Sequence, residues 1–176
     1  MMNKRIFGTD GIRALSNDKI FNNISLSALS SSIIKKSKNF RIVIGRDTRE
    51  SSKRIENNLI KELKKNGAKI FKVGLITTPA IAYITQKTKS NIGIVISASH
   101  NPYQFNGIKF FDKNGCKLSS LKERNIEKDF YKIIKKKNND KKNGKIKLIN
   151  NPFIIYKNKF NKLIKKDNFP KRLKVV

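Results

Sequence analysis

The strongest constraint on the fold is a short run, Ile92–Ile96, in which every residue is apolar or glycine. A continuous apolar run of this length, ended by small and polar residues, is typical of a buried strand. Residues 97–102, called the serine loop below, consist mostly of Ser, His, Asn and Pro, which are individually weak strand and helix formers, and they predict a tight, exposed loop. Catalytic groups concentrate on loops at strand ends, and this loop can present the hydroxyl of Ser99 to a ligand.

Helix and strand patterns alternate along the rest of the chain. Apolar residues at helical spacing predict five helices. They cover residues 25–38, a segment capped by Ser51 or Ser52 and closed by Gly67, a segment from Thr77 and Pro79 onward, residues 120–134 and residues 152–166. Ser120 and Glu123 are spaced as in a capping box at the start of the fourth of these helices. Short strand patterns occupy residues 40–44, 69–73 and 92–96, and a hairpin of 108–111 with 116–118 turns at Asn114 and Gly115. This alternation predicts an α/β fold, a three-layer α/β/α sandwich around a mixed sheet.

The length of 176 residues is sufficient for one α/β domain and some additional residues outside it. Residues 135–147 are charged and rich in Asn, so we expect a mobile surface segment there, and residues 173–176 give a short strand signal. Cys116 is the only cysteine, which excludes an intrachain disulfide and a zinc cluster. The N-terminus lacks the apolar core of a signal peptide, and no apolar run approaches the roughly 20 residues of a membrane-spanning helix, so we expect a cytoplasmic protein.

The charge of the chain is strongly positive, with 41 Lys and Arg against 12 Asp and Glu. A basic protein of this kind can bind the phosphates of nucleic acid. The lysines, however, are spread over the predicted helix surfaces without interleaved aromatic residues, and an excess of Lys, Asn and Ile is what an A+T-rich genome encodes. We therefore expect no specific nucleic acid and no membrane as partner, although weak binding to nucleic acid at low salt follows from the charge alone.

Two further segments carry groups that could act on a phosphate. Gly8 and Gly11 allow a sharply bent backbone, and Arg13 after them could offer a planar guanidinium. Residues 45–49 follow a predicted strand and precede a helix N-terminus, where an anion could bind. Alone, the first segment is more typical of an ordinary turn and the second of a structural Arg–Asp network. His100, the only histidine, is alone more typical of a hydrogen-bonding loop residue than of an acid or base.

Together and in this order, the segments resemble the α-D-phosphohexomutase family and, within it, the phosphoglucosamine mutases. The resemblance rests on four segments of the chain, which are residues 7–13, 45–49, 96–102 and 106–111. It implies that residues 1–150 form the family's domain I, which bears a phosphoserine loop. It also implies that residues 151–176 are a connecting helix and the start of a second domain, which is truncated here.

The resemblance implies a role for each matching residue. Ser99 is similar to the family's phosphorylated serine, which donates and later recovers a phosphoryl group. Arg13 and Lys109 match residues beside that phosphate, with Lys109 as a general acid or base, and His100 matches a loop histidine that helps to arrange the site. The supporting charge network implied in the same way consists of Arg46, Asp47 and Arg49.

The reaction implied by the resemblance is the interconversion of glucosamine 6-phosphate and glucosamine 1-phosphate through a bisphosphate intermediate, with a phosphosugar as substrate. The family uses Mg²⁺, which the phosphate on Ser99 would help to bind, but its Asp-Gly-Asp metal motif lies in the second domain and has no counterpart here. Two alternatives stay open: the chain is the first half of a split mutase completed by a second polypeptide, or it is an inactive basic remnant that binds polyanions. Four positions depart from the family's usual residues, namely Ala14, Ser52, Thr77 and Phe105.

Overall fold

A computed structural model describes residues 5–34, 39–135 and 143–163. Within these ranges the strands are β1 (Phe7–Gly8), β2 (Gly11–Leu15), β3 (Arg41–Arg46), β4 (Lys69–Leu75), β5 (Ile92–Ile96), β6 (Phe105–Asp112) and β7 (Lys145–Leu148). The α-helices are α1 (Asn23–Ile33), α2 (Glu50–Lys65), α3 (Thr78–Lys87), α4 (Ser120–Ile134) and α5 (Pro152–Leu163). None of the helices in the described ranges is long and apolar enough to cross a bilayer.

The strands form one sheet in the order β1-β2-β6-β5-β3-β4-β7. Strands β5, β3, β4 and β7 are parallel, whereas β6, β2 and β1 join the sheet through antiparallel pairs. This confirms the predicted α/β fold with a mixed sheet. Because β3 and β5 are adjacent and parallel, the loops that follow them emerge side by side at the carboxyl edge of the sheet.

Alternating side chains of the central strands divide the core into two layers. Ile42 and Ile44 of β3 belong to the larger cluster, which includes buried residues of α1, α2 and α4. Val43, between them, belongs to the smaller cluster with Ile81 of α3, against which Ile155 of α5 packs. Helices therefore cover both faces of the sheet, which is why Ile92–Ile96 is buried throughout.

Two predicted helix caps are wrong. α2 begins at Glu50 after Arg49, and neither Ser51 nor Ser52 caps it. The Ser52 hydroxyl is fully buried and bonds to groups outside the helix, so it is not free to act as a cap. At α4 the capping hydroxyl belongs to Ser119, one residue before the predicted Ser120.

The expectation of a mobile surface segment over residues 135–147 is wrong in part. Lys145–Leu148 forms the edge strand β7, parallel to β4 with Lys69 opposite Lys145. The second arm of the predicted hairpin is reduced to one bridge between Phe111 and Lys117. The strand signal at residues 173–176 and the predicted helical residues 35–38 and 164–166 lie outside the described residues.

Gly93 provides a test of the packing between β5 and α3. A Cβ atom at this position would lie 2.1 Å from Thr85 Oγ1, and Thr85 is fully buried with its hydroxyl donating to Ile81 O. We expect Gly93→Ala to lower the free energy of unfolding by about 1–3 kcal/mol. In a Thr85→Ala background the same substitution should cost at least about 1 kcal/mol less, because the clashing oxygen is gone.

Urea unfolding of the four proteins of this double-mutant cycle measures both values. Equal costs in the two backgrounds would contradict the close packing of β5 against α3. Gly8→Ala is the control for adding a methyl group to a strand glycine, since a Cβ there meets its nearest atom only at 3.6 Å.

Candidate active site

The serine loop leaves the carboxyl end of β5 with an abrupt change from buried to exposed residues. Ser97 and Ala98 are buried, whereas Ser99 and His100 are exposed. Ser99 has a φ of 58°, in the left-handed region that residues other than glycine rarely adopt, and its N–H donates to Ser97 Oγ at 3.0 Å. Such a conformation costs about 1–3 kcal/mol and persists only where neighbouring contacts enforce it.

Arg49, in the loop after β3, supplies those contacts. Its guanidinium donates to the backbone carbonyl oxygens of Ser99 at 2.8 Å and Asn101 at 2.6 Å. It also donates to the carbonyl oxygens of Pro102 at 2.7 Å and Phe105 at 3.3 Å. One planar side chain therefore fixes four backbone positions across the serine loop and its connection to β6.

Asp47 holds this guanidinium in place. Its Oδ2 accepts from Arg49 Nε at 3.2 Å, and its Oδ1 accepts from the Arg49 N–H at 3.1 Å. Ser52 Oγ donates to the same Oδ1 at 2.6 Å. The Arg49 side chain is only 13% exposed, so these charge-assisted bonds form largely away from solvent.

Asn106, at the start of β6, joins the same network from the other side of the loop. It is fully buried, and its Nδ2 donates to Ser51 Oγ at 2.8 Å and to Ser52 Oγ at 2.9 Å. Its Oδ1 accepts from the N–H of Gly107 at 2.8 Å. Asn106 had no role predicted from the sequence, although a small amide beside a glycine after a candidate loop is a signal that could have indicated one.

Arg46 contacts Asp47 and also belongs to a second charge network. Its Nε donates to Glu56 Oε2 at 3.3 Å, and its Nη1 donates to the Asp47 carbonyl at 3.2 Å. Glu56 is 1% exposed and also pairs with Lys72 at 3.4 Å. Arg46 therefore braces β3 against α2 and β4, while Arg49, which Asp47 orients, contacts the serine loop.

Arg13 and Lys109 lie on the same face of the sheet, on neighbouring strands. Arg13 in β2 is paired with Gly107 in β6, two residues before Lys109. Arg13 Nη1 donates to Asn101 Oδ1 at 3.0 Å, which links the β2 cation to the serine loop. The residues predicted for phosphate chemistry therefore converge on one region from three separate segments.

Lys109 is held by Asp10, a residue that the sequence analysis did not single out. Lys109 Nζ lies 2.6 Å from Asp10 Oδ2, and the lysine side chain is 13% exposed. The hydrogen bond from Lys109 holds the pKa of the Asp10 carboxyl below its ordinary value of 3.8, with smaller contributions from the charges of Lys109, Arg13 and Lys117. The carboxylate therefore stays ionised and fixes the ammonium group on the sheet face.

His100 is exposed beside Ser99, and its ring makes no hydrogen bond to the part of the chain that the structure describes. The described residues contain no group of three or more His, Cys, Asp or Glu side chains that could hold a metal ion. Mg²⁺ prefers carboxylate and phosphate oxygens in octahedral geometry. This donor set does not fit a complete magnesium site, even with a phosphate on Ser99.

A family model and solved structures point to the same group of proteins. The family model "Phosphoglucomutase/phosphomannomutase, alpha/beta/alpha domain I" matches residues 4–139. The chain is similar in fold to a protein described as a putative phosphomannomutase from Thermus thermophilus, with a TM-score of 0.78 and 22% identity over 94% of this chain and 38% of that one. It is also similar to a phosphoglucomutase/phosphomannomutase family protein from Burkholderia thailandensis, with a TM-score of 0.66 and 21% identity over 85% of this chain and 34% of that one.

Curated relatives match more strongly in sequence. A phosphoglucosamine mutase of Syntrophotalea carbinolica is 45% identical over 132 residues, which is 72% of this chain and 29% of the relative. A phosphoglucosamine mutase of Clostridium botulinum strain Loch Maree is 44% identical over 126 residues, or 70% of this chain and 28% of the relative. The chain thus spans about three tenths of the length of these relatives.

The role of Arg49 predicts a specific effect of Arg49→Lys. A lysine keeps the positive charge but cannot reach four carbonyl oxygens, so we expect a loss of about 1–3 kcal/mol in the free energy of unfolding. The amides of Asn101 and Phe105, which bond within the loop, should exchange faster with solvent deuterium. Hydrogen-exchange mass spectrometry and urea unfolding measure the two effects.

Arg54→Lys is the matched control for this substitution, because Arg54 donates to one carbonyl, that of Ser16. We expect unchanged exchange in the serine loop of this control. Unchanged exchange in Arg49→Lys as well would refute the claim that Arg49 holds the loop.

The pair of Asp10 and Lys109 predicts a pH effect on stability. Because folding depresses the pKa of Asp10, the stabilisation is fully present above its unfolded value, near 3.8, and is lost as the pH falls through the lower folded value. Asp10 is half exposed, so the effect should be below about 1 kcal/mol. Asp10→Asn should lose less stability than the wild type between about pH 6 and pH 3 in urea unfolding. Lys109→Met should flatten the profile similarly; an unaltered profile in both variants would rule out this pair as its source.

Proposed function

Because the chain belongs to the phosphoglucomutase/phosphomannomutase family and matches its α/β/α domain I, we propose that Ser99 carries the phosphoryl group of a phosphoglucosamine mutase reaction. The proposed reaction interconverts glucosamine 6-phosphate and glucosamine 1-phosphate. The substrate assignment rests on the curated relatives, which are named phosphoglucosamine mutases at 44% to 45% identity.

The observation that carries the proposal is the way in which the backbone presents Ser99. The residue is exposed, sits at a φ of 58°, and is fixed through its own carbonyl by Arg49. Phosphoryl transfer depends mainly on positioning and on stabilising negative charge, so a rigid hydroxyl is the group that this chemistry needs.

Arg13 and Lys109 supply the positive charge on the same side of the site. A phosphorylated serine carries about −1.5 to −2 charges at neutral pH, which favours nearby cations. Arg13 reaches the serine loop through Asn101, and Lys109 is kept in place by Asp10. We assign Arg13 to phosphate binding and Lys109 to general acid–base chemistry. The role of His100 in arranging the site is carried over from the family resemblance, since its exposed ring makes no hydrogen bond to the described residues.

In the proposed cycle, a sugar hydroxyl oxygen forms a bond to phosphorus as the bond between phosphorus and Ser99 Oγ breaks. The hydroxyl proton leaves the sugar and Ser99 Oγ takes up a proton, and Lys109 is the group assigned to these transfers. The bisphosphate then turns, and its other phosphoryl group returns to Ser99 by the reverse steps. No atom is gained or lost over the cycle, and the phosphoserine is regenerated.

The described residues do not provide every part of this reaction. They hold no cluster of metal-ligating side chains, so we assign magnesium binding to residues outside them. In a split mutase, a second polypeptide would carry these magnesium-binding residues. The part contributed by the residues described here is the phosphoserine loop with its cations.

The test is intact-mass and peptide mass spectrometry of the protein isolated from its own cells. We expect one added phosphoryl group on the peptide that contains Ser99, since an activated mutase carries it between turnovers. Ser99→Ala should lack this group, whereas Ser120→Ala, which removes an exposed serine on α4, should retain it. An unphosphorylated wild-type protein, or a phosphoryl group that persists in Ser99→Ala, would refute the proposal.

A further inference from the structure

Acidic and basic residues are distributed differently in this molecule. No Asp or Glu occurs between Glu62 and Asp112 or over residues 143–163, while these segments contain seven and five lysines. They include β4, β5, β7 and the two helices, α3 and α5, that cover one face of the sheet. Three of these lysines, Lys65, Lys72 and Lys109, pair with carboxylates from outside the two segments, namely Glu62, Glu56 and Asp10.

A row of three cations crosses this face at the start of three neighbouring strands. Arg41 of β3 is in register with Lys69 of β4, and Lys69 is in register with Lys145 of β7. Adjacent strands lie about 4.8 Å apart, and like charges directly opposite each other destabilise a sheet. Within the described residues, none of the three forms an ion pair with a carboxylate.

Aromatic rings hold several cations of this face in fixed positions. Arg41 Cζ lies 5.1 Å and Lys69 Nζ 5.9 Å from the centre of the Phe71 ring. Lys87 Nζ of α3 and Lys159 Nζ of α5 lie 5.9 Å and 5.2 Å from the centre of the Tyr83 ring. These contacts order the side chains but leave their charge without a counterion.

We propose that this surface, called the cation row below and consisting of Arg41, Lys69 and Lys145 with Lys87 and Lys159 beside them, binds the phosphate backbone of single-stranded nucleic acid. The phosphates would supply the negative charge that the protein lacks here, and the release of counterions would drive binding. A flexible chain of phosphates can follow a line of cations that crosses three strands. Phe160 on α5, next to Lys159 and 41% exposed, offers a ring on which a base can stack without sequence preference.

The cation row is separate from the serine loop. Arg41, Lys69 and Lys145 begin their parallel strands, whereas the serine loop follows the carboxyl end of β5. The two regions therefore lie at opposite ends of the parallel strands, and nucleic acid bound to the cation row leaves the serine loop accessible. This inference does not depend on the proposed phosphoryl transfer, and Ser99→Ala should bind nucleic acid as the wild type does.

The experiment measures the fluorescence anisotropy of a labelled oligouridylate of about 20 nucleotides with the full chain, at about 50–200 mM salt. The test variant is the double substitution Lys69→Gln and Lys145→Gln. The matched control is Lys53→Gln with Lys61→Gln, which removes the same charge from two exposed positions on α2, across the sheet from the cation row.

We expect the test variant to bind about tenfold more weakly at the higher salt, with the salt slope reduced by about 1.4, while the control changes less than about twofold. Thermal unfolding of the test variant should occur at the same or a higher temperature, because like charges have been removed from adjacent strands. An unchanged or higher unfolding temperature would show that the variant binds more weakly because it has lost contacts to phosphates, and that it still folds.

Equal weakening of the test and control variants would overturn the proposal and attribute binding to net charge. So would the absence of oligouridylate binding at about 150 mM salt, or binding to vesicles containing phosphatidylserine in place of the oligonucleotide. Duplex RNA of the same length bound as tightly as the single strand would also overturn it, because base stacking would then contribute nothing.

Discussion

The contact between the Arg49 guanidinium and four carbonyl oxygens is the interaction on which the candidate site depends. Ser99 occupies a backbone conformation that is unfavourable for a serine, and a free loop would relax out of it. Arg49 holds the loop from the end of β3, and Asp47 and Ser52 keep the arginine oriented. The position of the exposed hydroxyl is therefore set by an arginine from a neighbouring strand end, together with the hydrogen bond from the Ser99 N–H to Ser97 Oγ within the loop.

The sheet order explains how distant segments reach this point. Because β3 lies beside β5, and β6 and β2 follow on the other side, residues from all four strands share the carboxyl edge or the adjoining face. The ion pair of Arg46 and Glu56 stabilises that edge because it connects β3 to α2. The buried carboxylate also pairs with Lys72 of β4, so one acidic group joins three elements next to the serine loop.

Features with a local signal were predictable from the sequence, and features decided by tertiary contacts were not. The apolar run Ile92–Ile96 and the polar residues after it correctly predicted a buried strand followed by a loop. Pro79 correctly predicted the first turn of α3. The cap assigned to Ser51 or Ser52 was wrong because both hydroxyls accept from Asn106, which is 54 or 55 residues away. β7 was not predicted although its residues, Lys145–Leu148, alternate between polar and apolar, because the run is only four residues long and follows a charged, Asn-rich segment.

The edge strand β7 also bears on how copies of this chain meet one another. Lys145 and Lys147 line one face of the last strand in the described sheet, whose outer backbone groups pair with no further strand there. An open edge is a template on which a second sheet can grow, and lysines are the residues that natural sheets most often place there to prevent it. Two copies brought edge to edge would bring their lysines together, and this repulsion opposes pairing of the two sheets.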